Sequence, residues 1–260
     1  MVSLNFTRKN LEKSSLVTPS VTGFIGGNSL LIGIWEAKSL VEVSTHDINQ
    51  LSNLNSILGI SQVKDFNLVH TSKDFEHVDY DSFEPLNTKK YFGVNAQLDD
   101  KVVDYEKLKQ QKVCTISALP KQINSTLDSS LINFKKHHAS TALANTALDG
   151  KDQVLILISD GQLQVLIHKE NKFQLYTQEQ ASTANDFLYY ILLAAKRLNF
   201  KISDLPVSIG GSIDQSSPLY TLLKSYIPHM EFFSSSKFKV DGSSQPFHYY
   251  LPLIIARACG

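Results

Sequence analysis

Residues 153–227 carry an order of elements that few folds accept. Val154–Ser159 (VLILIS) is an unbroken apolar run, the pattern of a strand buried on both faces. Asp160-Gly161 follows, a hairpin turn between apolar runs. Leu163, Val165 and Ile167 then alternate with Gln162, Gln164 and His168 at a period of two. A second turn at Lys169–Lys172 leads to a third strand at Phe173–Thr177, completing a meander. Thr183 with Asp186 has the form of a capping box. Behind it, Phe187, Tyr190, Ile191, Ala194 and Leu198 fall on one helical face. Pro206–Gly210 reads as a short strand, and Ser217-Pro218 opens a further helix with proline at its first position.

The first half has the same rhythm in a less regular form. Leu30–Trp35 and Leu40–Val43 read as paired strands across a Glu-Ala-Lys turn. Asp47 is placed to cap a helix carrying Leu51, Leu54, Ile57 and Leu58. Phe66–His70, Phe75–Val78 and Cys114–Leu119 read as strands, and Pro120 opens a helix ending near Phe134. Strands, helix and strand again in both halves point to an internal duplication. The expected division is a polar arm over 1–24, a first subdomain over 25–150 and a second over 151–260. The boundary falls at the polar turn Asp149–Asp152.

Composition limits the function classes. Lys+Arg and Asp+Glu both number 25, so there is no surplus of positive charge to grip nucleic acid or an anionic membrane. Apolar residues make up 42% of the 260, enough for sizeable cores, yet no apolar run approaches the ~20 residues of a membrane span. Cys114 and Cys259 stand far apart, with neither zinc spacing nor a disulfide framework. The expectation is a cytoplasmic protein with two reduced thiols. G-x-S-x-G, G-x-x-x-x-G-K-[ST], H-E-x-x-H and G-x-G-x-x-G are all absent.

Other residue groups read as structure rather than chemistry. His137-His138 has no acid or cysteine at ligand spacing, so a surface or helix-end role is expected. Phe247–Tyr250 (FHYY) beside the C-terminal helix reads as core packing, and Trp35 as a core or interface anchor. Ser234–Ser236 with Lys237 reads as a solvated loop.

His138–Leu143 (HASTAL), Leu155–Gln164 (LILISDGQLQ), Asp186–Tyr190 (DFLYY) and the Gly-Gly within Val207–Ile213 together resemble the actin-like ATPase superfamily. That superfamily includes actin, heat-shock chaperones, sugar kinases and the actin-like protein of type IV pilus assembly. More narrowly, the chain resembles an uncharacterised bacterial family of this fold. The resemblance implies an α/β architecture of two ribonuclease-H-like (actin-like ATPase) subdomains, with mixed sheets, flanking helices and a cleft between. In active members, glycine-bearing hairpins cradle phosphate with backbone N–H groups, acids from both halves place Mg²⁺, and a Gly-Gly pair lets adenosine approach.

Carried onto this chain, Asp160 and Gly161 take the second phosphate hairpin and Gly210 and Gly211 the adenosine position. Gln162 and Leu163 stand where Gly-Thr or Gly-Ser is expected. The first phosphate hairpin is expected at Ile32–Lys38 (IGIWEAK), which offers Gly33 but no aspartate, with Glu36 its only acid.

The expectation is therefore a non-catalytic or degenerate actin-like protein without a cofactor. It would act through an unknown protein partner or by self-association, with no nucleic acid and no membrane. The alternative is a slow ATPase or small-molecule kinase using ATP with magnesium at Asp160, Gly161, Gly210 and Gly211. Nuclease chemistry needs a carboxylate cluster for two metals, and the central strands LLIGIW and VLILIS carry no acid at their midpoints.

Overall fold

The computed structural model describes residues 5–7, 19–49, 66–94, 96–130, 134–146, 152–170 and 172–259. Two mixed sheets dominate. In the first, strands β2 (Ser20–Gly26), β3 (Ser29–Glu36) and β4 (Ser39–Asp47) form an antiparallel meander. Strands β5 (Phe66–His70) and β9 (Phe134–His138) add in parallel on the other side of β2. The second sheet repeats this order. Its meander is β10 (Gln153–Ser159), β11 (Gln162–Lys169) and β12 (Lys172–Gln180). Strands β13 (Val207–Gly211) and β14 (Met230–Phe232) then run parallel to β10.

Between β5 and β9 the chain inserts a three-stranded antiparallel sheet, with β8 (Val113–Pro120) flanked by β6 (Phe75–Asp79) and β7 (Lys101–Leu108). Helix α1 (Lys121–Ser130) follows it. Helix α1 stops short of Phe134, which starts β9 rather than ending the helix.

The apolar patterns explain the layers. Along β10, Val154, Ile156 and Ile158 pack outward with helices α3 (Ala184–Arg197) and α4 (Pro218–Tyr226). Leu155 and Leu157 point the other way, into a core shared with the first sheet. The run VLILIS is unbroken because both faces are covered. The shared core holds α2 (Ala139–Thr146) and α5 (Leu251–Ala258), packed between the sheets with Phe24, Trp35, Val69 and Leu166. Trp35 is fully buried, and its indole Nε1–H donates to Thr22 Oγ1 at 2.8 Å. The expected capping box is present: Thr183 Oγ1 accepts from Asp186 N, and the Asp186 carboxylate accepts from Thr183 N.

The boundaries differ from the expected ones. Strand β2 begins inside the 1–24 segment, and the short strand β1 (Phe6–Thr7) pairs with β4. At the other end, β15 (Lys239–Val240) adds to β4 in parallel, and α5 packs on β2, β3 and β5. Residues 239–258, within the 151–260 range, therefore pack on both sheets: β15 and α5 reach the first, and residues 247–250 lie against β13 of the second. The helix expected after Asp47 and the turn expected at Asp149–Asp152 lie largely outside the described residues. Among the described residues, no helix is long and apolar enough to cross a membrane.

Candidate functional site

The hairpin joining the first two strands of each sheet projects toward its counterpart. In the second sheet this turn is Asp160-Gly161, with φ of 49° and 73°. Two successive positive φ values suit the right-handed twist of the strands they join, and Asp-Gly supplies them at low cost. In the first sheet the equivalent turn is Gly27-Asn28 between β2 and β3, with Gly27 at φ 58°. The expected position, Ile32–Lys38, is one hairpin too late. It leads from β3 into β4 at the opposite end of β3, so Gly33 and Glu36 do not face Asp160. Instead, Gly33 leaves room for Leu253 and Leu40, whose Cδ1 atoms would each lie 2.8 Å from a Cβ there.

The two turns lie close together. A Cβ on Gly27 would lie 3.5 Å from Asp160 Cβ and 3.8 Å from Asp160 Oδ2. One on Gly26 would lie 2.7 Å from Ser159 Oγ. Just behind them, Thr71 ties the sheets together. Its N–H donates to Ile25 O at 3.1 Å, and its hydroxyl lies 2.9 Å from Gln162 Oε1 and 3.2 Å from Ile25 O. Gln178 Nε2 donates to Thr71 O at 2.9 Å. Gln162 and Gln164 are therefore buried polar residues facing the other lobe, not solvent. Their period-two spacing was visible in the sequence, but their burial was not.

Gly210 and Gly211 lie on β13 beside β10. A Cβ on Gly210 would meet Leu251 Cδ2 at 2.7 Å and the His248 carbonyl oxygen at 2.9 Å. Gly211 has φ 90°, and a Cβ there would come within 2.0 Å of Ile158 O. The close approach is thus made by the protein itself, by the C-terminal segment at Gly210 and by the neighbouring strand β10 at Gly211. His248 Nε2 donates to Ile213 O at 2.9 Å, and the ring stacks on Phe232 at 3.9 Å. Tyr249 and Tyr250 are buried, as expected for core packing. Hydrogen bonds from the Ser216 hydroxyl and N–H hold the Asp214 carboxyl below its usual range.

A third group brings together residues far apart in sequence. His70, His77 and His138 meet where the inserted sheet joins both lobes. His138 is fully buried at the start of α2, so only the helix-end half of its expected role holds. Its Nε2 lies 3.1 Å from Ser72 O, which can only accept, so this nitrogen carries the proton. Nδ1 then accepts from Ser140 Oγ at 2.8 Å, and His77 Nε2 donates to the same Oγ at 3.0 Å. Phe75 and Tyr176 pack around these rings. Burial pushes the imidazoles down, to about 3 for His70 and about 4 for His77, and well below the ordinary value for His138. A serine hydrogen-bonded to a neutral imidazole has the parts of a nucleophile and base. Ser140 is fully buried, however, so the array acts as a fastening. Alongside it, Glu106 on β7 holds β9: its carboxylate pairs with His137 Nδ1 at 2.5 Å and accepts from His138 N at 2.7 Å. Among the described residues, no group of three His, Cys, Asp or Glu side chains is placed to hold a metal.

The family described as "Protein of unknown function (DUF3822)" matches residues 37–230. The chain belongs to the DUF3822 family. No curated protein matches it. In structure, this DUF3822 protein is similar to a Bacteroides thetaiotaomicron protein with an actin-like ATPase fold and unknown function. The TM-score is 0.68 at 16% identity, over 85% of this chain and 92% of that one. It is also similar to the PilM-PilN type IV pilus biogenesis complex, with a TM-score of 0.55 at 11% identity, covering 93% of this chain and 98% of that one. A third is the cytoplasmic domain of EpsL, an inner membrane component of the Vibrio cholerae type II secretion system. There the TM-score is 0.54 at 9% identity, over 94% and 96% of the two chains. The DUF3822 chain thus has the actin-like ATPase fold that its meanders and glycines imply.

Proposed function

We propose that this DUF3822 protein is a degenerate actin-like protein that works through protein–protein contact and not through nucleotide turnover. One observation carries the reading: the two turns are so close that a single methyl group added at Gly27 would already stand in van der Waals contact with Asp160, and one at Gly26 would collide with Ser159 Oγ. Phosphoryl transfer needs room between two such turns and acids that hold Mg²⁺ against the phosphates. The first turn, Gly26-Gly27-Asn28-Ser29, supplies no carboxylate, leaving Asp160 without a counterpart. The space beside Gly210 is taken by Leu251 and the His248 carbonyl. Matching strand order in the two sheets supports descent by duplication. The free thiols of Cys114 and Cys259 suit a reducing cytoplasm. For a partner-binding role, fold-level analogy is the support: PilM is solved with PilN, and EpsL belongs to a secretion system.

The second reading keeps ATP with magnesium at Asp160, Gly161, Gly210 and Gly211. It requires the lobes to part and the Thr71 bridge to break. Thermal unfolding with and without Mg-ATP separates the two. A ligand held at about 100 times its Kd stabilises by about 2.7 kcal/mol. The expected result is no shift at millimolar Mg-ATP. A shift that disappears in Asp160→Ala overturns the proposal. Sedimentation velocity over a concentration series then distinguishes self-association from dependence on a separate partner.

A further inference from the structure

On the face away from the paired turns lies a cavity of about 560 Å³, within the range of small-molecule sites, roughly 300–1,000 Å³. Both lobes build it. Lys38 comes from the β3–β4 turn, Ser208 and Glu231 from β13 and β14, Lys237 from the following loop, and Arg257 from α5.

Its charge is unlike that of the whole chain, where acids and bases balance at 25 each. Three cations line the cavity, and Glu231 is the only acid among the described lining residues. Among the described residues, neither Lys38 nor Arg257 has a carboxylate partner within ion-pair distance. Arg257 is also held in place: its Nη2 donates to Ala37 O at 3.1 Å, and its guanidinium lies 6.0 Å from the Trp35 ring centroid. Its remaining N–H groups stay available as fixed donors, so little side-chain entropy is lost on binding. Phe238 and Ile254 give the same cavity an apolar wall. Phe238 is braced edge-on against Trp35 at 5.5 Å.

We propose that this cavity is a binding site for a small organic anion with a flat apolar body. Arg257 and Lys38 meet the anionic group and Phe238 meets the ring. The serines read from sequence as a solvated loop, Ser234–Ser236, form its rim. The site stands on residues independent of the paired turns, so it holds whether or not ATP binds elsewhere.

The probe is anilinonaphthalene sulfonate, a fluorescent aromatic anion, titrated into the full chain. The expected result is one saturable site whose Kd rises at least tenfold in Lys38→Glu, a change at an exposed turn residue. Arg257→Gln should weaken it similarly with the melting temperature monitored. The neutral analogue N-phenylnaphthylamine should bind at least tenfold more weakly. Leu86→Ser/Val94→Ser, at fully exposed apolar residues in the segment between β6 and β7, should leave the site intact. Absence of saturable binding overturns the proposal. So does unchanged affinity in Lys38→Glu, equal affinity for the neutral analogue, or loss of binding in the Leu86/Val94 variant alone.

Discussion

Thr71 Oγ1 lies 2.9 Å from Gln162 Oε1, joining the end of one sheet to the hairpin of the other. The hydroxyl has one proton, shared between this oxygen and Ile25 O at 3.2 Å. Both side chains are buried, at 7% and 6% exposure, so water cannot replace a lost partner. Thr71→Val should cost about 1–3 kcal/mol, because Gln162 keeps an unpaired buried oxygen. The double variant Thr71→Val/Gln162→Leu should cost less than the sum of the singles. A double-mutant cycle in urea measures that coupling. Strict additivity would mean that the bridge contributes nothing.

Stability should fall with acid in a defined window. His70, His77 and His138 are kept neutral by burial, with His70 at about 3 and His77 at about 4 against an ordinary 6.5. Below 6.5 the unfolded chain takes up protons that the folded chain refuses, so unfolding gains as pH drops. The contribution is intact above about pH 6.5 and is lost progressively as pH falls toward 4. Each histidine adds a slope approaching 1.4 kcal/mol per pH unit. Urea midpoints at several pH values check this. A curve flat from neutral pH down to pH 5 would sink it.

Adding a single methyl group to either residue of the Gly-Gly pair should destabilise the fold without any ligand being involved. Gly210→Ala drives a Cβ against Leu251 and the His248 carbonyl, overpacking that costs about 1–3 kcal/mol. Gly211→Ala should be worse: its Cβ collides with Ile158 O, and φ 90° adds backbone strain of about 1–2 kcal/mol. Denaturation in the absence of nucleotide is the measurement. Wild-type stability in both variants would show that these glycines are not needed for packing.

Thr183→Ala should cost about 1 kcal/mol, by removing the hydroxyl that accepts from Asp186 N at the start of α3. Thr183→Ser keeps the hydroxyl and should recover most of it. Chemical denaturation of the two variants decides, and equal losses in both would argue against the cap.

The second lobe was legible because its signals are local. VLILIS, the Asp-Gly turn, the capping box and Ser217-Pro218 each lead to an element that forms. Strand β2 was not, since Thr22, Gly23 and Gly26 dilute its apolar run. Gly23 is there for Phe66, whose Cζ would lie 2.7 Å from a Cβ. Without β2, the turn equivalent to Asp160-Gly161 is expected at Ile32–Lys38, one hairpin too late. Strand β7 escaped notice as a half-exposed edge with mixed polarity. The histidine array depends on Phe75, Ser140 and Tyr176, which only the folded chain brings together.

The return of α5 to the first sheet sets a timetable for biosynthesis. Translation makes β2, β3 and β5 early, yet Leu253 and Ile254, which cover them, follow the whole second sheet. The earliest-made lobe must wait with part of its inner face uncovered. Nascent-chain proteolysis should find it cleavable until those late residues emerge, after which both lobes become resistant together.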